Sequence, residues 1–547
     1  MSRRTRLSAR ASRVGIASLA GVALVAPLAA CSSGGDGPRD TLVYASGDAE
    51  PTCLDPHVGG NYPQALLATQ VLESMVSRND DGEIVPWLAT DWEVSDDGMT
   101  WDFTLDADAQ FSDGTPVDAA AIKANIEHLQ DPETGSSTGY LAVQQIDEVE
   151  VVDATHARFT MVRPDAALLE SLAQVWVSIQ SPAGIERGSD ENCLAPIGSG
   201  PYVVDEWVKQ DRIELSRNPE YATPPGGEDL PPENAVASLT WRFIPDSTAR
   251  YSALESGQVD IIDNPLPDQI TAAEASEDLD HLDAPRPGAS NRIELNSGQA
   301  PFDDIRVREA FISAVDVDSA VSSLFEDTAE RSTSAMSSAE PLVQQSPDSY
   351  VFDQDRAGEL LDEAGWDERD SDGIRTKDGE RLTLRFPVST NQSVPAEQAL
   401  FEQLQANAAE AGFEVQISLL DLSSWYEALA QHEYELVSAP YTKIGPDVLR
   451  FLYHSDAIEP APSGYFANAA QISDPELDAL LDSVGSEMNP EARATATTAA
   501  QERIAELQVI LPLYDQQNHF LYRSDLEGFR ALPTVSTPWL ADVVAGA

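Results

Sequence analysis

Trp92-Glu93-Val94-Ser95-Asp96-Asp97-Gly98-Met99-Thr100-Trp101-Asp102-Phe103-Thr104-Leu105, followed five residues later by Phe111-Ser112-Asp113-Gly114-Thr115-Pro116-Val117-Asp118-Ala119, is the stretch on which the fold turns. Apolar and polar residues alternate on both sides of Asp96-Asp97-Gly98, the pattern of two half-buried strands joined by a tight turn. Asp113-Gly114-Thr115-Pro116 makes a second turn, and a helix is predicted from about Asp118 to Leu129.

Around this core the chain alternates between strand and helix signals. Thr41 to Tyr44 reads as a first strand, Pro51 to Tyr62 as a Pro/Gly-rich loop, and Gln64 to Val76 as a helix with apolar residues at helical spacing. Val149 to Val152 and Ala157 to Met161 predict another hairpin. Strands follow at Tyr202 to Trp207, Arg212 to Arg217 and Ala237 to Ile244, and helix Ser247 to Ser256 leads into Val259 to Ile262. Beyond Arg306 helices dominate. Strands Leu382 to Phe386 and Phe413 to Ile417 alternate with helices Pro395 to Ala411 and Ser423 to Ala430, the βαβ rhythm of a parallel sheet.

With 547 residues and 42% hydrophobic content, the chain is long enough for two or three packed domains. Its formal charge is −60, and losing the five arginines of residues 1–30 would take it to −65. Such a field repels phosphate, so nucleic acid and anionic lipid are disfavoured as partners.

The N-terminus carries Arg3, Arg4, Arg6, Arg10 and Arg13, then an apolar run from Val14 to Ala30 that is short and small-residued for a membrane span. It ends in Leu28-Ala29-Ala30-Cys31, which resembles the lipobox of bacterial lipoproteins. That resemblance implies a cleaved signal peptide (1–30), a diacylglycerol on Cys31, a polar tether (31–40) and attachment to the outer face of the cell membrane, periplasmic or outer-surface, by the acyl group alone. The alternative is an ordinary secretory peptide with a Cys near its cut site. In that oxidising setting Cys53 and Cys193 are expected to pair, the alternative being two buried free thiols.

Enzyme signatures are missing. No G-x-S-x-G elbow occurs, and His432-Glu433 is followed by Leu436 where a zincin helix needs a second His. The acidic run Glu368 to Asp372 imitates the start of a calcium loop, but its first position is Glu and its twelfth is Gly379. The seven histidines show no ligand spacing. No metal site, no cofactor and no enzymatic activity are expected.

Taken in order, several phrases resemble the family 5 extracellular solute-binding proteins of ABC importers, the oligopeptide, dipeptide and nickel binder group. They are the Trp92 to Ala119 region, Pro196-Ile197-Gly198-Ser199-Gly200-Pro201-Tyr202, Arg217-Asn218-Pro219-Glu220-Tyr221, Leu254 to Asp260, Phe302 to Ala310, and Leu360-Leu361-Asp362-Glu363-Ala364-Gly365-Trp366. The resemblance implies an α/β fold of the periplasmic-binding-protein-like type II, cluster C, with two α/β lobes, a hinge and an extra inserted domain. Residues 41–72, 196–285 and 508–547 would form lobe I, 73–195 the insert and 291–507 lobe II. The chain would cross the cleft near Ala289 to Asn296 and near Leu511 to Asp515.

The resemblance further implies a monomeric receptor that captures a small solute between its lobes and delivers it to permease subunits with cytoplasmic ATPases. A peptide is the leading ligand. A sugar, metal chelate or anion is the alternative, and a secreted hydrolase or surface protein on the same scaffold the more distant one. Carried over position by position, the ligand-contacting candidates are Asn61, Tyr62, Tyr140, Trp176, Trp425, Tyr441 and Lys443. Lys443 stands within Tyr441-Thr442-Lys443-Ile444-Gly445-Pro446-Asp447, where the family's peptide binders carry an acid for the peptide amine. A buried ammonium there would favour an anion; the alternative is that it pairs with a neighbouring acid.

Overall fold

The computed structural model describes residues 39–390, 392–438 and 441–546. The expected signal segment, the lipobox Cys31 and the tether up to residue 38 lie outside them.

Two aromatic rings lock the centre of the first sheet. Tyr44 and Trp241 sit opposite each other on parallel strands Thr41–Ser46 and Ser238–Phe243, and their rings stack at 3.9 Å. The sheet has seven strands, in the order Leu279–Pro285, Gln517–Arg523, Ile261–Asp263, Thr41–Ser46, Ser238–Phe243, Arg212–Arg217 and Tyr202–Val208. Thr41–Ser46 runs parallel to both of its neighbours, and the other pairings are antiparallel.

The Trp92 to Ala119 stretch folds as its alternation predicts. Strands Ala89–Val94 and Thr100–Leu105 pair across the Asp96-Asp97-Gly98 turn, where Gly98 takes a positive φ of 67°. With His156–Met161 and Ile146–Val151 they make a four-stranded antiparallel sheet. Trp101, Phe103 and Leu105 face inward against Phe111, Phe159 and helix Ala119–Gln130. Asp118 caps that helix by accepting from the Ala121 amide at 2.9 Å.

Helix Tyr62–Val71 begins and ends earlier than its apolar spacing suggests. Asn61 and Gln64 form a capping box at its start. At its end the Gly200 amide binds the Val71 carbonyl at 2.9 Å, and a Cβ on Gly198 would lie 1.9 Å from that oxygen. Gly198 and Gly200 thus serve close backbone approach, and the chain after Leu72 turns into strand Val76–Arg78, paired with Ile84–Pro86.

A separate core gathers residues from Ala289 to Tyr514. Strand Asn291–Leu295 lies between Leu436–Ser438 and Ile510–Tyr514. The βαβ rhythm appears once here, with Thr383–Ser389 parallel to Glu414–Leu420 through helix Pro395–Ala411. The chain passes from the seven-stranded sheet to this body between Pro285 and Asn291, and returns between Tyr514 and Gln517. The stretches expected to cross are largely strand within the second body; the passages are the short segments beside them.

Cys53 and Cys193 form a disulfide that closes a loop of sequence separation 140. The Leu54 amide bonds the Cys193 carbonyl at 2.8 Å beside it, and Gln64 Nε2 donates to the carbonyls of Cys53, Asp55 and Val58. The loop leading to Asn61 is therefore fixed from three sides. Replacing both cysteines by Ala is expected to lower unfolding stability by roughly 2–5 kcal/mol in denaturant titration. Non-reducing peptide mapping should find neither thiol alkylatable, and free thiols at both positions would contradict the pairing.

Candidate functional site

Where the two passages meet, a cavity of about 570 Å³ opens between the first sheet and the second body. Its charged lining comes from three places in the chain. Asp48 follows the end of strand Thr41–Ser46, Arg286 occupies the first passage between Pro285 and Pro287, and Glu397 lies in the first turn of helix Pro395–Ala411.

Local bonding fixes each group. Asp263 accepts from the hydroxyls of Tyr44 at 2.9 Å and Ser46 at 2.7 Å and from the Gly47 amide, which pins the turn carrying Asp48. Asp48 itself accepts from Asn264 Nδ2 at 2.9 Å. Arg286 lies with its guanidinium 3.9 Å from the Tyr62 ring centroid, and its Nε and Nη2 donate to Thr442 Oγ1. Glu397 accepts from Asn291 Nδ2 at 2.6 Å and from Ser438 Oγ at 3.4 Å.

Among the described residues none of these three charges has an ion-pair partner, although they lie close enough to feel one another's fields. Burial pushes the Asp48 carboxyl up to about 7, helped by the neighbouring Asp263 charge. Burial likewise raises Glu397 to about 7 against the pull of its hydrogen bonds, and it lowers Arg286. The cavity's other cation, Arg250, spends its donors on the carbonyls of Ile244, Pro245, Asp263 and Asn264 and serves the fold.

Four of the seven expected contact residues line this cavity: Asn61, Tyr62, Trp176 and Tyr441. Trp176 donates through Nε1 to the Asn61 carbonyl at 3.2 Å, so the aromatic wall and the capped loop are one unit. Tyr140, Trp425 and Lys443 are not among the lining residues. Tyr140 is half-buried in helix Thr138–Val143, whose Thr138 reaches the cavity instead. Trp425 packs into a small core with Leu429, Tyr434 and Phe466, and its neighbour Tyr426 takes the lining position.

For Lys443 the expectation of an anion anchor is corrected. Its ammonium is fully buried at 3.0 Å from Ser171 Oγ and 3.5 Å from Asp447, with the Phe451 ring 4.7 Å away. Asp447 is also gripped by Arg450 at 2.7 and 3.0 Å, and these cations hold its carboxyl far below the usual carboxylate range. The charge is consumed inside the protein.

Asp48, Arg286, Glu397 and the tyrosines 426, 465 and 514 were not marked by the sequence. Two acids among 93 carry no signal, and only the Pro285-Arg286-Pro287 frame sets the arginine apart. Among the described residues no group of three or more His, Cys, Asp or Glu is placed to hold a metal ion.

A seam of ion pairs joins the four-stranded unit to the second body beside the cavity. Glu170 and Arg493 form a two-pronged pair at 2.7 and 3.0 Å, and Arg78 meets Glu340 at 3.2 Å. Glu340 also accepts from the amides of Gly288 and Gly445.

Two outcomes follow from these groups. Lys443→Met should cost about 1–3 kcal/mol of stability, because Asp447 keeps Arg450, while leaving solute affinity within about twofold; a large selective loss of affinity in titration calorimetry would restore the anchor role. Asp48 and Glu397 bind protons more tightly folded than unfolded. Their contribution is therefore full below the unfolded carboxylate range near pH 4 and is lost as pH rises through about 7. Melting temperature of the solute-free protein should fall between pH 5 and pH 8, and Asp48→Asn or Glu397→Gln should each reduce that fall; an unchanged slope would place these acids in water.

The comparisons agree with this architecture. The glutathione-binding protein GsiB of Escherichia coli (strain K12) is 28% identical over 371 residues, covering 68% of each chain. The nickel-binding periplasmic protein of the same organism is 28% identical over 379 residues, 68% of this chain and 70% of that one. The crystal structure of NikA from Brucella suis in complex with Fe(III)-EDTA superposes with a TM-score of 0.77 at 25% identity, covering 92% of this chain and 99% of its own. The expected type II periplasmic-binding-protein fold is thus present. The family described as bacterial extracellular solute-binding proteins, family 5 Middle, matches residues 83–458. With that match spanning more than half of its length, the chain belongs to the family 5 extracellular solute-binding proteins, receptors for solutes and not enzymes.

Proposed function

We propose that this protein is the lipid-tethered, monomeric receptor of an ABC importer. It captures a small charged solute, a short peptide in the first instance, in the cavity between the two bodies and hands it to the membrane permease. The observation that carries this reading is a cavity at the two chain passages that holds a cation and two carboxylates without ion-pair partners among the described residues. Such groups are costly to bury unpaired, and a bound solute of matching charge removes the cost.

The relatives are named for glutathione and for nickel, so their names alone select no ligand; the charges in the cavity favour an organic solute with ionised ends. Because only two short segments join the bodies, one can swing against the other around the solute. The seam pairs Glu170–Arg493 and Arg78–Glu340 would form as the bodies close. Tethering is supported by the Leu28-Ala29-Ala30-Cys31 ending, and no helix of the described residues is long and apolar enough to cross a membrane.

Protein purified from its native host and gently denatured should release one small charged solute in mass spectrometry; release of none, or of a chemically altered product, would contradict the receptor reading. Arg493→Gln should weaken binding of that solute by about 3–30-fold through the closed state, measured by calorimetry, whereas an unchanged affinity would leave the seam no part in closure. Cys31→Ser should shift the protein from the membrane fraction to the medium, and retention at the membrane would refute the acyl tether.

A further inference from the structure

We propose that His281 and His519 form a proton-sharing strap between the two bodies, which holds them together near neutral pH and lets go on acidification. The inference goes beyond the receptor reading and requires no solute.

Four hydrogen-bonding groups stand in one line. Glu274, at the end of helix Pro267–Glu274, meets His281 Nδ1 at 3.0 Å; His281 Nε2 meets His519 Nδ1 at 3.0 Å; and His519 Nε2 reaches the Thr328 carbonyl at 2.9 Å. The histidines sit on neighbouring strands of the first sheet, Leu279–Pro285 and Gln517–Arg523. Thr328 belongs to the second body, just past helix Val317–Phe325, whose Phe325 packs on Tyr514. The amide and hydroxyl of Thr328 both donate to the Phe325 carbonyl, at 2.8 and 2.6 Å, so its own carbonyl is fixed in place. The last link therefore crosses from one body to the other. It does so at the edge of the cavity and beside the second passage, where the Asp515 amide binds the Glu330 carbonyl at 3.0 Å.

Counting donors fixes the protons. A carbonyl and an ionised carboxylate only accept, so His519 Nε2 and His281 Nδ1 each carry a hydrogen. Of the two inner nitrogens, one must carry a hydrogen and the other must not. The four nitrogens thus hold three hydrogens, and the pair carries a single positive charge. Burial and the neighbouring His281 lower His519 to about 4, which leaves the bridging proton on His281. Removing one hydrogen would leave a lone pair facing the Glu274 carboxylate or the other ring. A fourth hydrogen, arriving on His519 Nδ1, would set N–H against N–H and two cations side by side, so the bridge must part.

The surrounding acids do not replace the bridge. Asp283 lies 3.6 Å from His519 Nδ1, beyond a hydrogen bond, and partial burial and the Glu330 charge raise its carboxyl. Glu274 is the carboxylate already bonded at the outer end. Released histidines titrate near 6.5 in water, whereas in the strap His519 resists protonation down to about 4. The strap's contribution is therefore full above the ordinary histidine range and is lost as pH falls through about 4. Going from pH 7 to pH 5 should shift the balance toward release by about tenfold or more.

The test uses the full chain, stripped of its host solute, deuterated and labelled with nitrogen-15 at histidine. At pH 7 nuclear magnetic resonance should show a coupling between two imidazole nitrogens across the bridge, one ring bearing two N–H groups and its partner one. Small-angle scattering should show a radius of gyration that rises from pH 7 to pH 5 in wild type. In His281→Phe and His519→Phe it should be the same at both pH values.

Absence of the coupling, or an equal pH response in wild type and both variants, would overturn the strap. The coupling is read on wild type, so it decides the matter even where a variant folds poorly. Because no solute enters the test, the strap can fall while the receptor reading stands.

Discussion

Three ionisable groups at one cavity, Glu397 buried and Asp48 and Arg286 half-buried, have no ion-pair partner among the described residues and set the terms for the rest of the molecule. Asp48, Arg286 and Glu397 each lose hydration, and each is held by neutral donors or acceptors that soften the loss without cancelling it. A fold optimised for stability alone would pair them, as it pairs Asp447 with Lys443 and Arg450. The contrast between a neutralised cluster behind the wall and an uncompensated one in the cavity separates scaffold from site. In the proposed receptor it would couple binding to closure, since the missing charge complement would arrive with the solute.

The passages between the bodies put these groups where they are. Strands Leu279–Pro285 and Gln517–Arg523 are neighbours in the first sheet, and their continuations Asn291–Leu295 and Ile510–Tyr514 are neighbours in the second. Both passages are thus short and lie side by side, and Arg286 and Gln516 reach the cavity from them. On the other wall, the disulfide and the Gln64 contacts hold the loop that ends in Asn61, from which Tyr62 stacks on Arg286. At Gly288, with φ of 97°, a Cβ would lie 2.6 Å from the Lys443 amide nitrogen. The segment can pass that close only without a side chain.

Local pattern made much of the fold legible. The Trp92 to Ala119 alternation, the βαβ unit around helix Pro395–Ala411 and the pairing of two leftover cysteines each depend on neighbouring residues or on simple chemistry. The end of helix Tyr62–Val71 did not, because Gly198 and Gly200, distant in sequence, stop it. Asn61, Tyr62, Trp176 and Tyr441 could be placed by their match to family phrases. Lys443 misled because a rare lysine looks available until its partners are known, and those partners include Ser171 in another part of the chain. Asp48, Arg286 and Glu397 were invisible for the complementary reason: what distinguishes them is the partner they lack, a property of the folded arrangement.

In the proposed receptor a solute bridges two bodies that swing on a pair of short passages. Small-angle X-ray scattering of the protein stripped of its host solute, and then resaturated with it, addresses that motion directly. A measurably smaller radius of gyration on resaturation and a lost interbody separation in the distance distribution are expected. Superimposable curves, with binding verified in the same samples, would contradict it.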